Sequence, residues 1–467
     1  MSLLRGWRCT LAAAALAVPT MTSAQGFGLN EIGSCAVSRG YAGTGSPCKD
    51  ASLLYWNPAA ATGLAGNSLL FGATSIAVKG AFTRDSALGR FSANVPTAYA
   101  PHVFFTHRAS DDMAWGFAVY VPYGLSSQWG NDFPGRFVAD EASIRTLYFQ
   151  PSVAYKLNDR WSVGGGPVIG HSNVHLQQSL DLSTQATGSL DPTGKPVLFN
   201  QLGIAARTEF ARGTLKGSGT AYGYTVGVYG KVSDNITMGA RYLSALWFKY
   251  SNGTAAFTQT PTGLTLSAGN PLSLPTGTPI DAVVASEFTG SGALTAQTAS
   301  TALVHPDQAE LGFGYTGISH WLFSADYAWI GWKKSKALIV QFSNPTLGTV
   351  TEVTDYSNSS ALRVGAQYSA SNNWQWRMGF AGVAGAAPDE NVTPIIPDQD
   401  RANYTGGVAI PLMGAWTLDA ASAYVWTPGR RGRIDPRSTR TATAAQVNTG
   451  LYTLFANIIS LSLKATF

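Results

Sequence analysis

Charge is scarce in this chain: Asp, Glu, Lys and Arg make up 12% of its 467 residues, about half the share in an ordinary soluble protein. Histidine is limited to six residues and cysteine to three. Beyond the first two dozen positions, no run approaches the roughly 20 apolar residues that a membrane-crossing helix needs. Each shortage excludes something. A surface so poor in charge does not face water on all sides, the few His and Cys offer no ligand set for a metal, and the missing runs rule out a helical membrane protein. The near balance of sign, +5 overall, does not suit a nucleic-acid surface. No cofactor is implied.

The first residues read as an export signal, with Arg5 and Arg8 ahead of an apolar stretch at 11–18 and small residues Thr22-Ser23-Ala24 at the cleavage point. Removing residues 1–24 of 467 leaves 443, beginning at Gln25, with 29 basic against 26 acidic side chains. Cys9 leaves with the signal, so Cys35 and Cys48 are the remaining pair. In an oxidising compartment a lone pair closing a loop of about fourteen residues reads as a disulfide. On the chain-entropy model it constrains the unfolded chain by about 3 kcal/mol.

What the chain does have is period-two alternation. In 321–332 the odd positions carry Trp321, Phe323, Tyr327 and Trp329 while Ser324 and Asp326 occupy the other face, the pattern of a half-buried strand. The same split recurs in 235–249, 361–369 and 374–382. Fourteen such segments are expected, near 68–78, 100–107, 114–122, 143–157, 160–177, 223–233, 235–249, 309–319, 321–333, 361–369, 374–382, 404–411, 415–427 and 451–466. Short turns alternate with long connections at about 178–222, 250–308, 334–360, 383–403 and 428–450. An even strand number with long loops on one side only is the signature of an outer-membrane barrel. Lipid offers no partner to bare backbone groups, so the sheet must close on itself. The last strand agrees: Ile459, Leu461, Leu463 and Ala465 form an outward row ending at Phe467, opposite Ser460, Ser462 and Lys464. The expected fold is all-β, a transmembrane antiparallel β-barrel over 68–467, preceded by a segment at 25–67.

Alternation also places Arg241, Arg363 and Arg377 on lumen-facing sides, where they either meet a carboxylate on the cargo or pair with Asp326 or Asp419. His171 and His175 share one face of the fifth strand. The 250–308 loop, rich in Thr, Ser, Ala, Gly and Leu, is either unstructured or a shallow apolar collecting surface.

The stretch CKDASLLYWNPAAATGL at 48–64 concentrates Leu53, Leu54, Tyr55 and Trp56 ahead of a turn. Asn57 suits an N-cap, Pro58 the first helical position, Ala59 the turn itself and Gly63 a left-handed exit. These signals fit a structural corner as well. Side chains this apolar would not stay in water, so a segment ahead of the first strand belongs in the lumen as a plug, stiffened by Cys35–Cys48. A plug removes free diffusion of polar solutes and favours an apolar cargo.

Several blocks, in order, resemble the FadL family of outer-membrane transporters. They are Gly26-Phe27-Gly28-Leu29-Asn30-Glu31, Arg39-Gly40-Tyr41-Ala42-Gly43, Asn57-Pro58-Ala59, Trp115-Gly116-Phe117 leading to Pro122-Tyr123-Gly124-Leu125, the run beginning Pro151-Ser152-Val153, and Pro397-Asp398-Gln399-Asp400-Arg401. The resemblance implies a fourteen-stranded barrel with an N-terminal hatch, an external groove, a lumen pocket beside Phe27, and a kinked third strand that opens the wall sideways. Pro122 cannot donate to a ladder and Gly124 packs no side chain, which supports a break at Pro122-Tyr123-Gly124; Pro151 and Pro167 are competing breaks. One departure bears on cargo: Val163-Gly164-Gly165-Gly166 is followed in the fifth strand by His171 and His175 with no Lys or Arg, whereas fatty-acid members carry basic residues there.

The implied function is passive uptake of long-chain fatty acids or related hydrophobic compounds through the outer membrane of a Gram-negative bacterium, with both termini periplasmic. Aromatic hydrocarbons of the same transport class are the alternative. An outer-membrane lipolytic enzyme would need an activated serine that no motif supplies, and an adhesin would bind without uptake. The expected partners are the hydrophobic cargo, membrane lipid and, through Phe467, the barrel assembly machinery; the expected state is a monomer that is not an enzyme.

Overall fold

The computed structural model describes residues 26–86 and 89–467; the signal-peptide reading lies outside these residues. The alternating segments form β1 (Asn67–Arg84), β2 (Ala98–Arg108), β3 (Met113–Tyr120), β4 (Glu141–Lys156), β5 (Trp161–Asp181), β6 (Glu209–Ser233) and β7 (Ile236–Leu243). They continue as β8 (Gln308–Tyr315), β9 (Trp321–Ile330), β10 (Ser359–Ser369), β11 (Gln375–Val383), β12 (Arg401–Pro411), β13 (Trp416–Trp426) and β14 (Gly450–Thr466). Each pairs antiparallel with the next. β14 pairs with β1 from Ser68↔Thr466 to Arg84↔Gly450, which closes a fourteen-stranded barrel and removes both edges.

The two faces sort by chemistry. Leu362, Trp376, Met378, Ile459 and Leu461 are exposed on the outer surface, while Arg363, Arg377, Ser460 and Ser462 are buried within. The short turns fall at one end, where Asn67 and Phe467 exchange two backbone hydrogen bonds.

At the opposite end the strands run further than alternation suggested. β6 begins at Glu209 rather than near 223, and it pairs with β5 as far as Glu209↔Asp181. β7 resumes as Leu246–Gln259, and β8 is preceded by Gln297–His305, the two extensions pairing with each other. Residues 209–222 carry three glycines and no apolar period, because a strand that projects beyond the membrane has no lipid face to keep apolar. Part of the expected 250–308 loop is therefore strand. The rest folds over its own apolar cluster, with Leu182, Phe199, Phe210, Leu266, Ile280 and Leu294 buried together, so it is packed rather than unstructured.

Inside the cylinder lies the segment that precedes β1. One helical turn at Ser34–Ser38 and another at Leu53–Trp56 are entirely buried. Asn57 caps a 3-10 turn at Pro58–Gly63, its Oδ1 accepting from Ala59 N at 3.2 Å. The left-handed residue comes later than expected, at Gly66 with φ +58°, where the chain turns into β1 beside the Phe467 carbonyl.

Cys35 and Cys48 are bonded. Replacing both by Ala should leave the barrel assembled while lowering the stability of the enclosed segment by about 3 kcal/mol. Limited proteolysis from the terminal end checks this: cleavage within residues 35–48 should appear in the variant while β1–β14 stay intact.

Candidate functional site: a filled lumen beside a gap in the wall

The enclosed segment is fastened to the wall all round. Asp326 of β9 is the largest single fixing point: its carboxylate accepts from Gly43 N and Thr44 N, both at 2.7 Å, and from Gly45 N at 3.3 Å. Glu310 of β8 accepts from Thr44 Oγ1 at 2.6 Å. Gly45 has to be glycine, because a Cβ there would stand 1.9 Å from the Gly312 carbonyl carbon of β8. Gly40, at φ +64°, lies equally tight between β10 and β11. Further bonds run from Gln150 Nε2 to Leu54 O (2.7 Å), Ser162 Oγ to Ala59 O (2.7 Å), and Ser34 Oγ to both Ser460 and Ser462.

The three lumen arginines belong to this framework. Arg241 lies 3.4 Å and Arg363 3.2 Å from Glu310, all three fully enclosed. Arg241 also donates to Tyr55 O at 2.7 Å with its guanidinium over the Tyr55 ring, and Arg363 donates to Asn30 Oδ1 at 3.1 Å. Arg377 is paired with Asp419, which Lys464 also meets at 3.1 Å. Arg241 and Arg363 are struts between wall and enclosed segment, paired with Glu310 where the sequence offered Asp326, whereas Arg377 bonds only wall residues, Gln367, Gln375 and the expected Asp419.

Asn57 is a strut of another kind. Besides its cap, its Nδ2 donates to Thr44 O at 3.1 Å and to Val228 O of β6 at 2.9 Å. Changing Asn57 and Pro58 together to Ala removes the cap and the side-chain bonds to Thr44 O and Val228 O, a loss of about 2–4 kcal/mol. Uptake should fall several-fold while the heat-modifiable gel mobility of the folded barrel is unchanged.

Only the first few described residues are held lightly, and they lie against a gap. β3 stops at Tyr120 and the strand resumes at Gly124–Gln128. Among the described residues nothing pairs β2 with this strand between Val103↔Val119 and the isolated Ala93↔Trp129 bridge. The break falls at Val121-Pro122-Tyr123, with Tyr123 turned inward so that its hydroxyl donates to Pro306 O at 2.8 Å. From inside, Gly28 bridges to Tyr123, Leu29 N donates to Pro122 O at 2.8 Å and Gly124 N to Phe27 O at 3.0 Å. Residues 27–29 thus add a short strand across the break. The Leu29 side chain occupies the space that Gly124 leaves open, where a Cβ would come within 3.0 Å of it. Ahead of them, Gly26 N donates to Asp398 Oδ1 at 3.1 Å and Arg401 donates to Gly26 O at 3.0 Å.

The competing breaks are real but different. Pro151 and Pro167 face each other across β4 and β5, in a stretch between Phe149↔Ile169 and Val153↔Gly165 where the pairing lapses. On the lumen side this seam is backed by Ala59 packed on Gly164.

Phe27 points from the added strand to the floor of an apolar cavity in the half of the barrel away from Asn67 and Phe467. The cavity is open at its mouth, and its interior leaves about 90 Å³ for the centres of water-sized molecules. Leu125, Ile144, Val174, Leu176, Leu303 and Ile396 belong to its apolar lining, and among the described residues no Lys or Arg lines it. Its one carboxylate, Glu352, is paired with Arg433. His175 reaches the lining, 3.5 Å from Glu141, whereas His171 is exposed on the outer face beside Thr220. Of the sequence candidates, Phe27 and His175 share the cavity, Pro122, Tyr123 and Gly124 form the gap, and Leu53, Trp56, Asn57, Pro58 and Ala59 lie in the fastened block. Leu29 and His305 were missed, and Asp326 was expected as a partner for an arginine, whereas it anchors the backbone at 43–45. His305 was marked only by Pro306 after it.

Strand count, closure, a filled bore and an apolar path leading to a gap in the wall define a stoppered transmembrane barrel of the transport class. The chain belongs to the outer membrane protein transport protein family (OMPP1/FadL/TodX), whose profile matches residues 15–467. It is 25% identical over 431 residues to the long-chain fatty acid transport protein of Escherichia coli O157:H7, covering 90% of this chain and 91% of that one. It is 21% identical over 439 residues to outer membrane protein P1 of Haemophilus influenzae, covering 89% of each. Among solved structures, a Pseudomonas aeruginosa FadL homologue superposes with a TM-score of 0.77 at 20% identity, over 95% of this chain and all of that one. The Pseudomonas putida toluene transporter TodX superposes at 0.66 with 14% identity, over 95% and 100%. The protein is an integral outer-membrane transport barrel.

Proposed function

We propose that this barrel passes long-chain fatty acids or related apolar molecules passively from outside the cell into the outer membrane itself. Cargo partitions into the cavity, displaces the leading strand at 26–29, and leaves through the gap between β2 and β3. One observation carries the reading: the same three residues floor the cavity with Phe27, bridge the broken strand with Gly28 and seal its opening with Leu29.

Magnitudes decide which part moves. Four hydrogen bonds hold 26–29, two of them to the Asp398 carboxylate and the Arg401 guanidinium, worth about 4–9 kcal/mol together, and a cargo burying about 300 Å² of apolar surface gains about 7.5 kcal/mol, within that range. The block at 34–63 is held by several times as many bonds, some to carboxylates, and stays put. The hatch at 25–67 therefore works as a fixed stopper with a movable leading edge, ahead of the barrel at 68–467 and behind a signal at 1–24. Because the sheet closes within one chain, a monomer suffices, and Phe467 offers a terminal aromatic to the assembly machinery.

That no Lys or Arg among the described residues lines the cavity favours a second reading for the cargo, a neutral aromatic hydrocarbon in place of a carboxylate. Uptake of a labelled long-chain fatty acid and of an alkylbenzene, compared in cells with and without the chain, tests both. Stimulated uptake of either supports transport and names the cargo; stimulation of neither contradicts it.

A further inference from the structure

Two buried nitrogens beside Phe27 have no hydrogen-bond partner: His305 Nε2 and Trp332 Nε1. Both side chains are fully buried. The Phe27 ring packs on each of them, 5.5 Å from the imidazole and 4.8 Å from the indole, centre to centre. The remainder of the imidazole is committed, with Nδ1 at 3.0 Å from Tyr148 OH and the ring packed on Tyr123 at 4.3 Å and Phe248 at 4.4 Å. An unpaired polar group in such a place costs about 1–3 kcal/mol, and native interiors keep few of them. Phe or Leu would fill the same aromatic box without that cost. The nitrogen is explained if something else pairs with it once Phe27 has moved.

We propose that His305 and Trp332 form a polar stop, covered by Phe27 at rest, that binds an oxygen atom on an otherwise apolar cargo as it passes from the cavity to the gap. The inference rests on the transport reading above and narrows its cargo to molecules with an apolar body and one neutral oxygen group: a hydroxyl, a carbonyl or an un-ionised carboxyl. In the tautomer where Tyr148 OH donates to Nδ1 the proton rests on Nε2, so the imidazole, like the indole, is a donor for such an oxygen. The group is neutral because the described residues offer it no countercharge: Lys334 is paired with Asp307, and among the described residues no Lys or Arg lines the cavity. An ionised carboxylate would give up its water with no countercharge in exchange.

The test is binding of two ligands matched in size, 4-octylphenol and octylbenzene, to the detergent-purified full chain and to its His305→Phe and His305→Gln variants, each confirmed as folded by heat-modifiable gel mobility. His305→Phe should weaken octylphenol about tenfold and leave octylbenzene within twofold, and His305→Gln should restore most of the loss. Equal weakening of both ligands, or no change in either, overturns the proposal, since a packing role would not distinguish them. Failure of the unmodified protein to bind either ligand would instead overturn the transport reading. Labelling with diethyl pyrocarbonate, read by mass spectrometry, gives an independent check: His305 should be protected in the parent and modified in Phe27→Ala. Protection in both overturns the covering role.

Discussion

Asp326→Ala should turn a closed barrel into a conducting one. The carboxylate takes three backbone N–H groups of the loop at 43–45, two of them at 2.7 Å, and hydrogen bonds to a charged acceptor are worth about 1.5–3 kcal/mol each. Losing them leaves three buried donors with nothing to bond, next to a loop whose glycine was selected for backbone contact with β8. Even at the lower figure the released state gains more than about 4 kcal/mol, a shift of roughly a thousandfold in population. Single channels of the variant in planar bilayers should open frequently to small ions, where the parent stays shut. Asp326→Asn, which keeps one carbonyl acceptor, should fall between the two. Silent channels in Asp326→Ala would mean that the remaining struts, Asn57, Arg241 and Glu310 among them, hold the stopper without it.

Gly124→Trp should stop transport at its last step. Gly124 borders the gap, and the first atom of any side chain there meets Leu29 at 3.0 Å. An alanine would be absorbed by a small turn of the leucine, but an indole needs the whole volume that Leu29 or a departing cargo would occupy. Cargo should still bind in the cavity with affinity within a few-fold of the parent, while uptake drops by more than about tenfold, a loss of the size expected when a small space is overpacked. Binding and uptake separate the two ends of the path. Normal uptake would move the exit elsewhere, and the unpaired stretch at Pro151 and Pro167 would be the next place to block.

These two predictions rest on features that were unequally legible in the sequence. Every one of the fourteen strands was visible, because inside a membrane each strand must keep one apolar face and the period of two survives in full. The outer half of β6 and most of the extensions at 246–259 and 297–305 were not, since beyond the lipid both faces are wet and the ladder is made by residues such as Gly213, Gly217 and Gly219 that carry no pattern. Pro122 and Gly124 announced the break in β3 through what they cannot do, donate or pack. That residues 27–29 repair the break could not be read, because a single bridge between segments almost a hundred residues apart leaves no local trace. The arginines illustrate the opposite limit: alternation placed Arg241, Arg363 and Arg377 on lumen faces, but whether such a charge meets cargo or an acid on the next strand is decided by cross-strand register. Glu310 stands opposite Arg241 in the β7–β8 ladder, and a one-residue slip would have put it outside.

The central claim is that the bore is stoppered and that apolar cargo leaves through the wall. Liposomes holding the purified protein, a potassium gradient and an external fluorescent fatty acid or alkylbenzene read both halves at once. The account predicts faster arrival of the probe in the lipid phase while the gradient persists. Collapse of the gradient in step with uptake, or delivery of the probe to the aqueous interior without passage through lipid, would contradict it.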